Sequence, residues 1–230
     1  MLACERSVTL MLHIERLQLG PMANFVYLLA PVDGERLAVV DPGWDAQAIL
    51  AAAARSERQI TDIILTHHHH DHRNAVEALL TAGSARVWVN RGDADWLGGT
   101  GWTRDCQWLS NGDCIELGGA ASVQVIGTPG HTPGSQCLLC TTAQGPMLLT
   151  GDTLFIDGCG RCDLPGGDPA ALYHSLYGLL ADIDGRTQVC PGHDYAPLPQ
   201  ASLAEQRATN PYLHFDSVAA FVGYRMRPRA

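Results

Sequence analysis

The sequence predicts an α/β protein of four layers: two mixed sheets packed face to face, with helices on both outer faces, an αββα sandwich. Three observations lead there. The chain of 230 residues is long enough for one domain with a full core. Its composition is globular, 46% hydrophobic and 17% charged, with glycine and proline scattered rather than gathered into a low-complexity tract. The order of elements also repeats: strands, helix, strand, helix, then strands, helix, strand, as two similar halves.

Leu12 to Leu19, Asn24 to Ala30 and Leu37 to Val40 read as strands, the last two joined by a turn containing Asp33-Gly34. Asp41-Pro42-Gly43 breaks the sheet, and Asp45 is placed to cap an alanine-rich helix running to about Arg55. Ile60 to Leu65, apolar and β-branched, reads as a buried strand. A helix is expected over Asn74 to Ala82, stopped by Gly83, then a short strand from Arg86 to Asn90. Between Arg91 and Gly112, Trp96, Trp102 and Trp108 lie among glycines, and the expectation is that the indoles pin a loop to the core. Cys114 to Leu117 and Ser122 to Ile126 alternate as a hairpin, with Gln136 to Cys140 and Met147 to Thr150 as further strands. Asp168 to Leu180 has helical spacing, with Asp168 as cap and Pro169 at the first position, and Gln188 to Cys190 is a last strand. The reading is a single domain over 1–230, with 1–10 a dispensable tail that Met11 could replace as a start, and 197–230 a short C-terminal tail with a helix.

Charge and composition exclude several functions. A net charge of -9 repels a phosphate backbone, which disfavours nucleic acid as a partner. All 15 basic residues are arginine, so lysine chemistry, Schiff bases included, is excluded. Val8 to Leu12 is too short for a signal h-region and no apolar run is long enough for a bilayer, so the expectation is a cytoplasmic protein without a membrane partner, its eight cysteines reduced.

The chemistry concentrates in Thr66-His67-His68-His69-His70-Asp71-His72, directly after the Ile60 strand. Four further strand ends carry a polar residue on a Gly or Pro turn: Asp41-Pro42-Gly43, Gly130-His131, Gly151-Asp152 and Gly192-His193. Residues two apart on an extended segment share a face, so His67 and His69 suit one ion, while Asp71 and His72, after a bend, reach a neighbour. With His131 added to the first pair, His193 to the second and Asp152 shared, each ion has three or more N/O ligands and an open position. On the same alternation His68 and His70 point elsewhere, to solvent or behind the ligands. His13, His174 and His214 have no such context and read as structural or surface residues. Cys137 and Cys140 are three apart on a strand and so face opposite sides, which argues against a joint role; Cys159 and Cys162 flank Arg161.

Thr-His-x-His-x-Asp-His at 66 to 72, Gly-His-Thr-Pro-Gly at 130 to 134, Gly-Asp-Thr-Leu-Phe at 151 to 155 and Gly-His at 192 to 193 resemble, in the same order, the metal motifs of the metallo-β-lactamase superfamily. The resemblance implies that family's αββα fold, with His67, His69 and His131 on one site, Asp71, His72 and His193 on the other, and Asp152 bridging. Gly158-Cys159-Gly160-Arg161 and His193-Asp194-Tyr195 resemble both glyoxalase II, a thioester hydrolase, and the persulfide dioxygenases, which use a single iron. In both, the residue at Arg161 helps hold a glutathione carboxylate, and Tyr195 is carried over with it as a substrate contact.

The expected activity is metal-dependent hydrolysis of a thioester such as an S-acylglutathione, with Asp71 and Asp152 orienting the attacking hydroxide. Two divalent ions are expected, zinc first, then iron or manganese. The alternative is a dioxygenase of glutathione persulfide on one Fe(II) held by His67, His131 and Asp152. Against glyoxalase II stand the short C-terminal stretch and Asp163, where a tyrosine is expected. The partner is a small thiol-derived molecule, and the oligomeric state is open, a homodimer among the options.

Overall fold

The computed structural model describes residues 11–119 and 121–227, so the expected tail at 1–10 lies outside the described residues. Strands β1 (Leu12–Leu19), β2 (Asn24–Pro31) and β3 (Arg36–Val40) form an antiparallel meander. Helix α1 (Ala46–Arg55) crosses to β4 (Gln59–Ile64), and α2 (Val76–Ala82) crosses to β5 (Arg86–Asn90). These strands and β6 (Gln107–Leu109) pair in parallel beyond β3. Crossovers of this kind require a helix on the sheet face; α1 starts where the sequence says, the Asp45 carboxylate accepting from Ala48 N, and α2 starts at Val76, two residues after the expected Asn74.

The second half begins with the hairpin β7 (Cys114–Gly118) and β8 (Ala121–Gly127), then β9 (Gln136–Thr142) and β10 (Gly145–Gly151). A small hairpin follows, β11 (Leu154–Phe155) with β12 (Gly158–Cys159). Helix α3 (Pro169–His174) leads to β13 (Gln188–Pro191), parallel to β10, and β14 (Ala201–Ser202) closes the edge. One parallel bridge, Leu12 with Thr142, is where the halves meet along the strand order.

Burial shows the layers. Strand β2 is buried along its whole length: Phe25, Tyr27 and Leu29 point into a cluster shared with Val123, Val125, Leu138 and Leu149 of the second half, while Val26, Leu28 and Ala30 point to α1 and α2. The far face of the second half packs on α3, α4 (Leu203–Thr209) and α5 (Val218–Arg225), with Phe221 fully buried. Period-two alternation thus separates three cores, and the order of layers is helix, sheet, sheet, helix. Cys137 lies in the outer cluster and Cys140 in the inner one, on opposite faces of β9 as expected.

Three details differ from expectation. The helix from Pro169 is α-helical only to His174 and widens to a π-turn over Ser175–Leu179. The C-terminal stretch holds two helices, and it is part of the outer layer rather than a tail. Trp102 and Trp108 do pin their loop to the core, but Trp96 is 39% exposed and stacks on His68, 5.2 Å between rings at 14°. No helix among the described residues is long and apolar enough to cross a membrane.

Candidate metal centre

Each predicted ligand stands at a strand end on the same rim. After β4 the chain bends at Thr66–His67, is extended at His69 and then enters a 3-10 turn over His70–His72, which redirects Asp71 and His72. The turn after β8 supplies His131, the end of β10 supplies Asp152 and the end of β13 supplies His193. The donor atoms of His67, His69 and His131 lie within 4.8 Å of one another, as do those of Asp71, His72 and His193.

The carboxylate of Asp152 lies between the two groups. Its Oδ2 is 3.5 Å from His131 Nε2, and its Oδ1 is 3.4 Å from both His72 Nε2 and His193 Nε2. His69 Nδ1 and His131 Nε2 are 2.9 Å apart, and His72 Nε2 and His193 Nε2 are 3.1 Å apart. Imidazole nitrogens this close share a proton or converge on a third atom. His67 Nε2 and Asp152 Oδ1 decide in favour of the third atom, because both are buried with no hydrogen-bond partner. A donor set of imidazoles and carboxylates with orphaned lone pairs fits divalent cations.

The outward-facing nitrogens of three of these imidazoles are tied down. His131 Nδ1 meets the Arg161 carbonyl at 2.7 Å, His193 Nδ1 meets the Met22 carbonyl at 2.9 Å, and His72 Nδ1 meets Asp41 Oδ2 at 3.0 Å. Donation to these acceptors fixes the tautomer that leaves Nε2 as a lone pair facing inward. Asp41 also accepts from the Thr66 amide and hydroxyl, at 2.7 and 2.6 Å. Asn24 donates to Asp71 Oδ2 at 2.9 Å and itself accepts from Trp44 Nε1. Gly192 has to be glycine for space, since a Cβ would stand 2.7 Å from Asp152 Oδ1 and 2.9 Å from a His72 ring carbon.

Electrostatics separate the two groups. Burial, with His72 beside it, holds His67 well below the usual imidazole range; burial and His131 bring His69 down to about 4, and burial lowers His131. Burial opposes charge on His72 as well, but Asp152, Asp41 and Asp71 outweigh it and raise it to about 9; His193 is raised by Asp152. Asp152 is held well below the usual carboxylate range because His72 and His193 outweigh its burial.

The rim opens into a cleft of about 650 Å³, lined by Met22, Phe155, Ile156, Leu164, Tyr195 and Tyr212 beside the metal-facing residues. Tyr195 is 58% exposed and stacks on His193 at 4.7 Å. Arg161 also lines the cleft, but its Nε and Nη2 already donate to the two oxygens of Asp163, at 2.8 and 2.7 Å. His68 is buried behind the ligands rather than solvent-facing, its Nδ1 3.1 Å from Asp93 Oδ1, whereas His70, His13, His174 and His214 are exposed. Cys162 is buried in the outer core, which pushes its thiol up to about 12 and makes it a poor nucleophile.

Sequence reading missed Asn24, Trp44 and Asp93 as supports of the centre. Asp93 is buried and accepts from His68 N, Thr132 Oγ1 and Gly134 N, which braces the His67 loop against the His131 loop. Its signal is only a carboxylate in a glycine-rich stretch.

A family model described as the metallo-beta-lactamase superfamily matches residues 19–193. The chain belongs to that superfamily. It is 38% identical to a hydroxyacylglutathione hydrolase of Anaeromyxobacter dehalogenans, over 90% of this chain and 88% of that one. It is 27% identical to a probable polyketide biosynthesis zinc-dependent hydrolase, PksB, of Bacillus subtilis, over 96% of this chain and 95% of that one. Among solved structures, ETHE1 from Myxococcus xanthus superposes with a TM-score of 0.82 at 28% identity, covering 94% of this chain and 92% of that one. Membership and relatives together make the protein a metal-dependent hydrolase of the glyoxalase II and ETHE1 branch.

Proposed function

We propose that this metallo-hydrolase cleaves a thioester of a small thiol, with S-acylglutathione as the first candidate and two divalent ions, zinc first and iron or manganese after it, as cofactors. The observation that carries the reading is Asp152, whose two oxygens face two separate ligand groups at the floor of an open cleft. On this reading His67, His69 and His131 hold one ion, Asp71, His72 and His193 the other, and Asp152 both. Bound there, divalent ions supply Lewis acidity toward the thioester carbonyl and hydroxide at neutral pH. Asp71 and Asp152 accept hydrogen bonds from the attacking water and orient it. The apolar wall of Phe155, Ile156 and Leu164 takes the acyl chain, and Tyr195 and Arg161 contact the thiol portion. The substrate class agrees with the name of the hydroxyacylglutathione hydrolase relative, and the same proposal has the enzyme act in the cytoplasm.

The likeness to ETHE1 supports a second reading, a persulfide dioxygenase using one Fe(II) at His67, His131 and Asp152. Protein loaded in parallel with zinc and with iron, assayed for thioester hydrolysis and for oxygen uptake with glutathione persulfide, separates them. Hydrolysis by the zinc form is the expected result. Oxygen uptake by the iron form with no hydrolysis in either would overturn the first reading in favour of the second.

A further inference from the structure

The C-terminal helices are bonded to one loop, the stretch from Phe155 to Arg161 that borders the cleft. Gln206, buried, accepts from Asp157 N at 2.7 Å, and Asn210, fully buried, donates to the carbonyls of Phe155 and Gly158 at 3.1 and 3.0 Å. Arg225, 5% exposed on α5, donates Nε–H to the Gly160 carbonyl at 2.7 Å. The next carbonyl along the chain, that of Arg161, is the one that His131 Nδ1 meets at 2.7 Å.

Gly160 has no slack on its other side. A Cβ there would stand 1.9 Å from the Asp152 carbonyl oxygen and 3.0 Å from His131 Cβ. The 160–161 peptide is therefore wedged against the backbone of Asp152 and the side chain of His131, and Arg225 holds it from behind. Packing alone does not account for an arginine at this place. Its Nη2 is buried without a hydrogen-bond partner, a cost that a methionine or leucine of similar volume would not carry. The directional Nε–H to Gly160 is what an apolar side chain cannot supply.

We propose that Arg225 is a positioning residue for His131: by fixing the Gly160 carbonyl it fixes the Arg161 carbonyl, and with it the tautomer and ring direction that turn His131 Nε2 toward His69 and Asp152. The inference rests on the reading of His131 as a ligand of the first ion. It makes the C-terminal helix a support of the metal centre rather than a cover of the outer core alone.

Cobalt(II) titrated into the metal-free full chain tests this, read as affinity and as the visible ligand-field bands. Arg225→Met is expected to weaken the first cobalt about tenfold and shift its bands in the direction of His131→Ala, with the second ion changed less than threefold. Arg225→Lys, which keeps a donor, is expected to recover most of the affinity. Leu180→Ala, a buried change in the same outer layer on the segment after α3, serves as the structural control and is expected to leave the bands in place. Wild-type bands and affinity in Arg225→Met, or the same shift in Leu180→Ala, overturn the inference. If Arg225→Met does not fold, Arg225→Leu, which also lacks a donor, is read in its stead, with weakening supporting the inference and wild-type behaviour overturning it. Unchanged bands in His131→Ala would instead overturn the assignment of His131 to the metal.

Discussion

Asp41 does not face the cleft, yet its two oxygens take the Thr66 amide, the Thr66 hydroxyl and His72 Nδ1, and Thr66 Oγ1 lies 3.0 Å from His67 Nδ1. One buried carboxylate thus orients a donor in each ligand group. Asp41→Asn replaces an acceptor oxygen with an amide that cannot serve all three donors. Metal affinity, followed with a competing chelator, is expected to fall about 10- to 100-fold while the fold persists. An unchanged affinity would remove Asp41 from the centre. Arg161 poses the opposite case, since its guanidinium edge is taken by Asp163 and both side chains are half exposed. A pair so solvated is worth at most about 1 kcal/mol, so a substrate carboxylate can compete for it. If Arg161 grips the thiol carrier, Arg161→Ala raises KM for S-acylglutathione about tenfold with kcat nearly constant, and Asp163→Asn lowers KM. Steady-state kinetics on both variants check the sign, and a KM unmoved in either would assign Arg161 to stapling its loop.

At the scale of elements, the histidine loop binds protons unevenly before it binds metal. His69, lowered to about 4 by burial and His131, resists a proton that the unfolded chain accepts near 6.5. Its contribution to the stability of the metal-free protein is therefore present above about 6.5 and lost as pH falls toward 4. His72, raised to about 9 because Asp152, Asp41 and Asp71 outweigh its burial, acts with the opposite sign: its contribution is present below about 6.5 and lost as pH rises through 9. The metal-free protein is expected to be most stable between these limits, and urea unfolding across pH 5 to 10 checks it; stability rising steadily through pH 9 would contradict the His72 assignment. Most of these elements were legible in the sequence for a physical reason. Strands such as β2 and β4 are apolar runs bounded by turn residues, and α1 carries its own cap in Asp45, so pattern alone places them. The proposed ligands stand out in the sequence because the histidine run follows an apolar strand directly, and His131, Asp152 and His193 each follow a glycine at a strand end. The contacts around them do not, because Asn24 and Asp93 act across 47 and 25 residues of chain and no local spacing encodes such contacts. Trp96 departs from the expected role of pinning its loop for a like reason, since its partner His68 comes from another loop.

For the whole molecule, the division of ligands between halves has a consequence for stability. His67, His69, Asp71 and His72 come from the first sheet's rim, and His131, Asp152 and His193 from the second's. The halves share the backbone bridge of Leu12 with Thr142 along the strand order and a second bridge, Asn24 with His193, at the rim, besides the apolar core between them. Without an ion the rim instead gathers imidazoles lowered by burial against orphaned lone pairs, an arrangement that opposes closure. Ions bound at the rim act on the folded state alone, because the unfolded chain does not bring the two halves of the ligand set together. A free metal concentration a thousandfold above Kd then adds about 4 kcal/mol to stability. For a chain of this size each kcal/mol moves Tm by about 2 to 4 °C, so chelation is expected to lower Tm on the order of 10 °C, and added zinc to restore it. His131→Ala, which removes a ligand from the second half, should show a smaller zinc-dependent shift than the wild type. Calorimetry with and without chelator measures both, and a Tm indifferent to metal would mean that the rim closes without ions and that the shared core and the backbone bridges suffice to hold the two halves.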